Sequence, residues 1–315
     1  HMQRRRTRST GVIRRNSAHA LPRVYSISNG KGGTGKTSIT ANIGGLAAAA
    51  GYKVLLIDFD PQGNLNRDLG YQNSDDGKAQ ASAIITGAPL PITAGIRPNL
   101  DIVLGGSELS HVVTAMIPKM VTMSEPTLAD HFHSSLAAVV ESYDIILIDT
   151  PPGDALLVES AFANSTGVLI TTRPDEASLD GVDLTADRFE LVRAINPKLQ
   201  LIGAVIFATG TQSTRIDQVT REALTEIFGD PKYVFDTKIR TAEAAAVDSR
   251  REGKLIHEIA PEVEKAVLAR FSALKESRPI GGSFHATNLD GIVEDYQNLT
   301  LEFLRRISWL EEQTS

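Results

Sequence analysis

The sequence predicts an α/β fold, a doubly wound, mostly parallel sheet with helices on both faces. Three observations carry that expectation. Short runs of Val, Ile and Leu recur along the chain and alternate with longer stretches of helical periodicity. A glycine-rich loop, Gly30 to Ser38, stands between one such run and an Ala-rich helical stretch. Two further apolar runs end abruptly in aspartate, at Asp58 and Asp149. In an open α/β sheet, ligands bind outside the carboxyl ends of the strands, which is where these residues fall.

Composition bounds what such a fold can do. With 315 residues, 42% of them hydrophobic, the chain can bury a large core. No internal repeat or long linker divides it, so residues 21–312 read as a single domain. No stretch of 18 uninterrupted apolar residues is present, which argues against a membrane span. The N-terminal arginines have no apolar segment behind them, so no secretory signal is read there. Cysteine is absent, which removes disulfides, thiolate zinc sites and iron–sulfur clusters, and a reducing cytoplasm is the simplest home. The net charge of −6 is unevenly spread: residues 1–20 hold six arginines and no acid, leaving the rest at −12. Residues 1–20 therefore read as a disordered Arg-rich arm, either a nucleic-acid contact or a solvated tail.

Taken in order, Arg23 to Ser28 reads as a buried strand, and Thr37 to Ala50 as a helix stopped by Gly51. Between them, Gly30, Gly35, Lys36 and Thr37 occupy the fixed positions of the phosphate-loop pattern Gly-x-x-x-x-Gly-Lys-Thr. Strand, loop and helix together set backbone N–H groups and a helix N-terminus around an anion. Gly32, Gly33 and Gly35 let backbone approach phosphate oxygens closely. Lys36 suits the β- and γ-phosphates of ATP, the Thr37 hydroxyl suits Mg²⁺, and Thr34 and Ser38 complete the nucleotide-binding loop.

The strand Lys53 to Ile57 leads into Asp58-Phe59-Asp60-Pro61-Gln62-Gly63-Asn64. Carboxylates at the end of a buried strand are costly without a cation nearby. Residues 65–98, with several Gly and Pro, read as short helices and loops, and Asn99 to Leu104 as a strand. Residues 112–126 carry Met116, Met120 and Met123, a cluster suited to helix core or a partner-facing surface. A helix is expected from about Thr127 to Ser142. Tyr143 to Asp149 is a strand whose four apolar residues precede an Asp, the Walker B arrangement in which Asp149 orients Mg²⁺ or its waters. Strands are read at 167–172, 199–207 and 233–235, with helices over about 176–195 and Thr214 to Phe228. Ala208 to Ser213 is expected to be the loop beside the nucleotide base.

The loop Lys31-Gly32-Gly33-Thr34-Gly35-Lys36-Thr37, the heptapeptide 58–64 and Asp149-Thr150-Pro151-Pro152 occur in the order and form of the ParA/MinD family of deviant Walker A P-loop ATPases. The chain resembles that family over roughly residues 22–256 and the last helix, and ParA (Soj-like) partition ATPases more than MinD. The resemblance implies a sandwich dimer in the ATP state, in which Lys31 reaches the partner's ATP. It assigns the attacking water to Asp60 and the magnesium shell to Asp58. It implies slow ATP hydrolysis, with Lys31, Lys36 and Asp60 catalytic, stimulated by a ParB-type centromere-binding protein. It also implies non-specific DNA binding, with Arg215 and Arg240 aligned to DNA-contacting positions, and a cytoplasmic, nucleoid-associated protein. The chain departs from the family in lacking a Pro-Arg pair before Arg240, and in a probable helical insertion over 258–285.

The last helix, about 289–312, sets Ile292, Val293, Tyr296, Leu299, Phe303, Leu304, Ile307 and Leu310 at helical spacing. Its balance of six acids to two arginines is opposite to that of a membrane-surface helix. It is expected to dock on the body of the protein, which disfavours the MinD-like membrane-associated alternative. A ParA-like positioner of a protein cargo would share every motif. A nitrogenase-type reductase would need cysteines, and a bacterial tyrosine kinase a tyrosine-rich tail.

Overall fold

A computed structural model describes residues 20–122, 126–210, 214–259, 265, 268–273 and 288–314. Its first strand, β1 (Val24–Ser28), is buried throughout and lies inside an eight-stranded sheet. The other strands are β2 (Val54–Asp58), β3 (Thr93–Arg97), β4 (Leu100–Val103), β5 (Ile145–Asp149), β6 (Gly167–Thr172), β7 (Gln200–Thr209) and β8 (Val234–Arg240). The sheet order is β3-β4-β2-β5-β1-β6-β7-β8, with every pairing parallel except β3 on β4. On one side of β1 the chain continues outward as β6, β7 and β8, and on the other lie β5, β2, β4 and β3, so the connections diverge at β1 and a crevice opens at its carboxyl end. That is where Gly30 to Gly35 leave the sheet.

Strands covered on both faces must be apolar on both, which is why β2 and β5 read as unbroken runs of Val, Leu and Ile. One face is covered by α3 (Lys78–Thr86), α4 (Leu109–Val121), α5 (Leu128–Ala137), α6 (Ala155–Asn164), α7 (Glu176–Arg193) and α8 (Thr214–Phe228). Its core includes Ile84, Met116, Phe132, Phe162, Phe189 and Leu224. The other face carries α1 (Lys36–Ala49), α2 (Leu65–Leu69), α9 (Glu243–Glu252) and the terminal α10 (Asn288–Thr314). Ile43, Leu46, Leu65, Leu299, Phe303 and Ile307 pack there. The doubly wound sheet expected from the sequence is thus the fold observed.

Three differences from the sequence expectation have physical causes. The stretch 65–98 holds not only short helices but the edge strand β3, whose first three residues are exposed and include Gly95. An exposed strand has no apolar alternation to betray it. Strand β8 runs to Arg240 rather than ending at Phe235. Its unpaired edge is met by Glu302 of α10, which accepts the N–H groups of Asp236 (3.0 Å) and Thr237 (2.9 Å). The helix expected to reach Ser142 stops at Ala137, and a short 3₁₀ turn, Val140–Ser142, follows.

The terminal helix docks on the body with its apolar stripe inward. Ile292, Val293, Tyr296, Leu299, Phe303, Ile307 and Leu310 are buried. Three of its six acids find partners there: Asp295 takes Arg240, Glu302 the edge of β8, and Glu311 the Tyr25 hydroxyl. Among the described residues no helix is long and apolar enough to cross a membrane. The arginine arm (residues 1–19), Met123 and most of the expected 258–285 insertion lie outside the described residues.

Candidate nucleotide site

The loop from β1 to α1 turns on two left-handed glycines, Gly33 (φ 76°) and Gly35 (φ 86°). Gly35 is needed twice over, because a Cβ there would lie 2.5 Å from the Phe207 ring. A Cβ on Gly32 or Gly33 would meet nothing within 4 Å. The space in front of the loop is open. No side chain caps α1, so the N–H groups of its first turn face the cleft, the arrangement that receives an anion.

Asn29, which no sequence motif singles out, sets the shape of the loop. It is fully buried. Its Nδ2 donates to the carbonyls of Thr171 (2.5 Å) and Ser178 (3.3 Å), and its Oδ1 accepts the Lys31 N–H (2.7 Å). The one signal for it in the sequence is a polar side chain at the end of an apolar run, directly before the first loop glycine. Thr34 is buried too, within reach of the Thr171 hydroxyl at 3.1 Å.

The two lysines of the loop have different fates. Lys36 is buried, and its Nζ donates to the Lys31 carbonyl at 3.0 Å. Burial lowers its pKa, opposed by the nearby Asp149 and Asp60 carboxylates. Lys31 points outward, its side chain 45% exposed and its Nζ 3.9 Å from Asp175.

Asp58 and Asp149 end adjacent parallel strands in register, so both carboxylates emerge side by side. The Thr37 hydroxyl donates to Asp149 Oδ2 at 2.8 Å, while Asp149 Oδ1 is buried without a partner. Asp58 accepts the N–H groups of Asp60 (3.3 Å) and Leu65 (3.2 Å), and Asp60 accepts that of Gln62 (2.9 Å). Burial, then the neighbouring Asp149 charge, pushes the Asp58 carboxyl well above the ordinary range. Burial pushes Asp149 up to about 7, against the pull of the Thr37 hydroxyl and Lys36. Asp60 is raised by burial, against the Gln62 N–H and Lys36. Two adjacent carboxylates, one with an orphaned oxygen, beside a hydroxyl, form the hard-oxygen set that suits Mg²⁺. Among the described residues no cluster of three or more His, Asp or Glu could hold a metal by itself.

A carboxyl with a raised folded-state pKa binds more protons folded than unfolded. Its stabilising contribution is present below the unfolded value and lost as pH rises through about 7 for Asp149. The Tm of the metal- and nucleotide-free protein is therefore expected to fall, relative to Asp149→Asn, between about pH 4 and pH 8. Parallel thermal-melt profiles of the two proteins would contradict this.

The cleft in front of the loop encloses about 480 Å³ and takes in Lys36, Thr37, Asp60, Phe207, Ala208 and Arg240. The predicted phosphate, water and metal residues are thus gathered at one sheet edge, with Asp58 and Asp149 buried directly beneath. The two arginines aligned to DNA-contacting positions part company. Arg215 is exposed in the first turn of α8 and is not among the residues that line the cleft. Arg240 lines the cleft and is gripped by Asp295, which accepts its Nε at 2.7 Å, its Nη2 at 2.9 Å and its backbone N–H at 2.9 Å. Ala208, expected beside the base, does line the cleft, whereas residues 211–213 of that loop lie outside the described residues.

Known proteins resemble this chain in sequence and in fold. A family model described as an AAA domain matches residues 22–201. An uncharacterised protein of Mycobacterium tuberculosis is 32% identical over 228 residues, 71% of this chain and 69% of the relative. The chromosome partitioning protein ParA of Caulobacter vibrioides is 30% identical over 237 residues, 72% of this chain and 85% of the relative. In fold, a variant of Cyanothece McdA in complex with ATP superposes with a TM-score of 0.66 at 18% identity, covering 84% of this chain and all of that one.

Proposed function

Because the chain belongs to the ParA/MinD-type AAA-domain family of ATPases, we propose that it is a ParA-type partition ATPase, which binds ATP with Mg²⁺, dimerises in that state, and then holds DNA without sequence preference. The observation that carries this reading is the pair of lysines in one loop. Lys36 is drawn into the cleft, where it serves the chain's own nucleotide. Lys31 stands at the outer rim, weakly held by Asp175, where a second subunit's nucleotide would meet it. A single phosphate loop needs only the first.

In this reading the first-turn amides of α1 and the glycine loop bind the phosphates, and Lys36 offsets their charge. Thr37, Asp149 and Asp58 are the residues that would hold Mg²⁺, which would supply positive charge to offset the charge developing on the phosphates. Asp60, turned by the Gln62 N–H, orients the attacking water. Positioning and charge neutralisation make up nearly all of phosphoryl-transfer catalysis, so hydrolysis by the isolated protein is slow. A ParB-type partner accelerates it and thereby releases DNA.

Arg215 and the arginine arm supply the DNA contacts. Arg240, closed on Asp295, contributes only after that pair opens. Docking of α10 on the body leaves its apolar stripe unavailable to a membrane surface, which separates this reading from the MinD-like one. Nucleoid association follows from ATP-dependent DNA binding.

The test is binding to a random-sequence duplex with ATP, with ADP and without nucleotide, over a salt series, in wild type, Arg215→Ala and Arg240→Ala. Binding is expected only with ATP, to weaken with salt, and to lose about one unit of salt slope in Arg215→Ala. A protein that binds ATP but shows no ATP-dependent DNA binding would overturn the partition role.

A further inference from the structure

The arginines around the cleft are held in different ways. Arg240 is locked by a two-pronged grip on Asp295. Arg250, on α9, is held at one point: its Nε donates to Asp68 Oδ1 at 3.0 Å. Its Nη2 extends to the Ser38 hydroxyl at 3.3 Å, and no described residue accepts from its Nη1. Asp68 is buried, yet its Oδ2 has no partner. The pair is thus anchored without being saturated, which leaves guanidinium N–H groups for an anion. Arg250, Asp68 and Ser38 all line the cleft.

The backbone fixes where that guanidinium stands. Helix α9 ends at Gly253 (φ 62°), directly against Gly70 at the end of α2. A Cβ on Gly70 would lie 2.6 Å from the Gly253 carbonyl oxygen. Arg97 bridges the same junction, donating to the carbonyls of Leu69 and Gly253, each at 3.1 Å, and to both carboxylate oxygens of Glu258. The elements bearing Asp68 and Arg250 are therefore joined through their main chains. Arg250 is presented to α1 by a braced support.

Its position along α1 tells which phosphate it meets. Lys36 and Thr37 serve the β/γ end and the metal. Ser38 is the next residue of the helix and lines the cleft, and the Arg250 contact on its hydroxyl sets the guanidinium beside the residue that follows the Lys36-Thr37 pair.

We propose that Arg250 is a further nucleotide-binding residue, which takes the phosphate nearest the nucleoside and is positioned by Asp68. This rests on the cleft being a nucleotide site. Since ATP and ADP share that phosphate, Arg250 sets affinity for both alike, unlike a residue that senses the γ-phosphate.

The experiment is calorimetric titration of ADP and of a non-hydrolysable ATP analogue, each with Mg²⁺, into wild type, Arg250→Ala and the double variant Asp68→Ala/Arg250→Ala. Nucleotide-free melting of each protein is measured alongside. Arg250→Ala is expected to weaken both nucleotides by the same factor, about tenfold or more, as for loss of a charge-assisted hydrogen bond. The double variant, relieved of an unpaired buried carboxylate, is expected to recover the wild-type melting temperature but not the affinity. Three results would each overturn the proposal: affinities within about twofold of wild type, a loss confined to the ATP analogue, or affinity recovered together with stability in the double variant. Wild type that binds neither nucleotide would instead overturn the nucleotide reading on which the proposal stands.

Discussion

Lys36→Ala is expected to weaken nucleotide binding severely and to abolish hydrolysis with it. Lys36 is the cation deepest in the cleft, 6% exposed, with Asp60 and Asp149 close enough to raise its pKa against the effect of burial. Replacing it removes the charge that meets the β- and γ-phosphates where water screens least. It also leaves three carboxylates, Asp58, Asp60 and Asp149, with no buried lysine to offset them, so the cleft turns repulsive toward a polyanion. A charge-assisted contact of this kind is worth about 3 kcal/mol or more, and each 1.4 kcal/mol is about tenfold in affinity. The expected loss is thus on the order of 100-fold in ATP affinity, with phosphate release at background. Calorimetric titration and a phosphate-release assay check this, with nucleotide-free melting to show that the fold is kept. ATP affinity within about fivefold of wild type would remove Lys36 from the site.

Asp60→Ala is expected to separate the two properties that Lys36→Ala loses together. Asp60 lies on the loop after β2, accepts the Gln62 N–H and lines the cleft, and no N–H of the glycine loop donates to it. ATP binding should therefore survive, and tighten slightly, because a carboxylate near the phosphates is gone. Hydrolysis should fall by about 10²- to 10⁴-fold, the range for a residue that positions or activates the attacking water. The ATP-bound state would then persist, and with it the DNA-bound form of the proposed function. Single-turnover hydrolysis beside equilibrium ATP binding reads both quantities. If binding and hydrolysis fall in parallel, Asp60 belongs to the phosphate-binding set and not to the water.

The functional residues that the sequence made legible are those whose neighbours in the chain are also their neighbours in space. Gly30 to Ser38 is one contiguous loop, so the glycines, lysine and threonine proposed to hold one anion are neighbours both in the chain and in space. The apolar runs ending in Asp58 and Asp149 announced buried strands with costly termini. Missed residues act across long sequence separations. Asn29 joins the loop to Thr171 and Ser178. Arg250 meets Asp68 from a helix far along the chain. The one signal for Asn29 is its place between an apolar run and the first loop glycine, and Arg250 carries none, since a surface-like Arg has the same sequence appearance whether or not it has a partner.

By itself the sequence determined the α/β class, the glycine-rich loop with the aspartates that end two apolar runs, and an acidic, amphipathic terminal helix. Periodicity, turn chemistry and charge balance are local properties, and each survives being read one segment at a time. The tertiary structure alone decided that β5 inserts between β1 and β2, which sets Asp149 beside both Asp58 and Thr37. It decided that β8 continues to Arg240 because Glu302 accepts the N–H groups along its edge. It also decided that Asp295 closes on Arg240 inside the cleft while Arg215 stays exposed outside it. Strand order and the pairing of buried charges depend on which distant surfaces pack together, and only the assembled sheet specifies that.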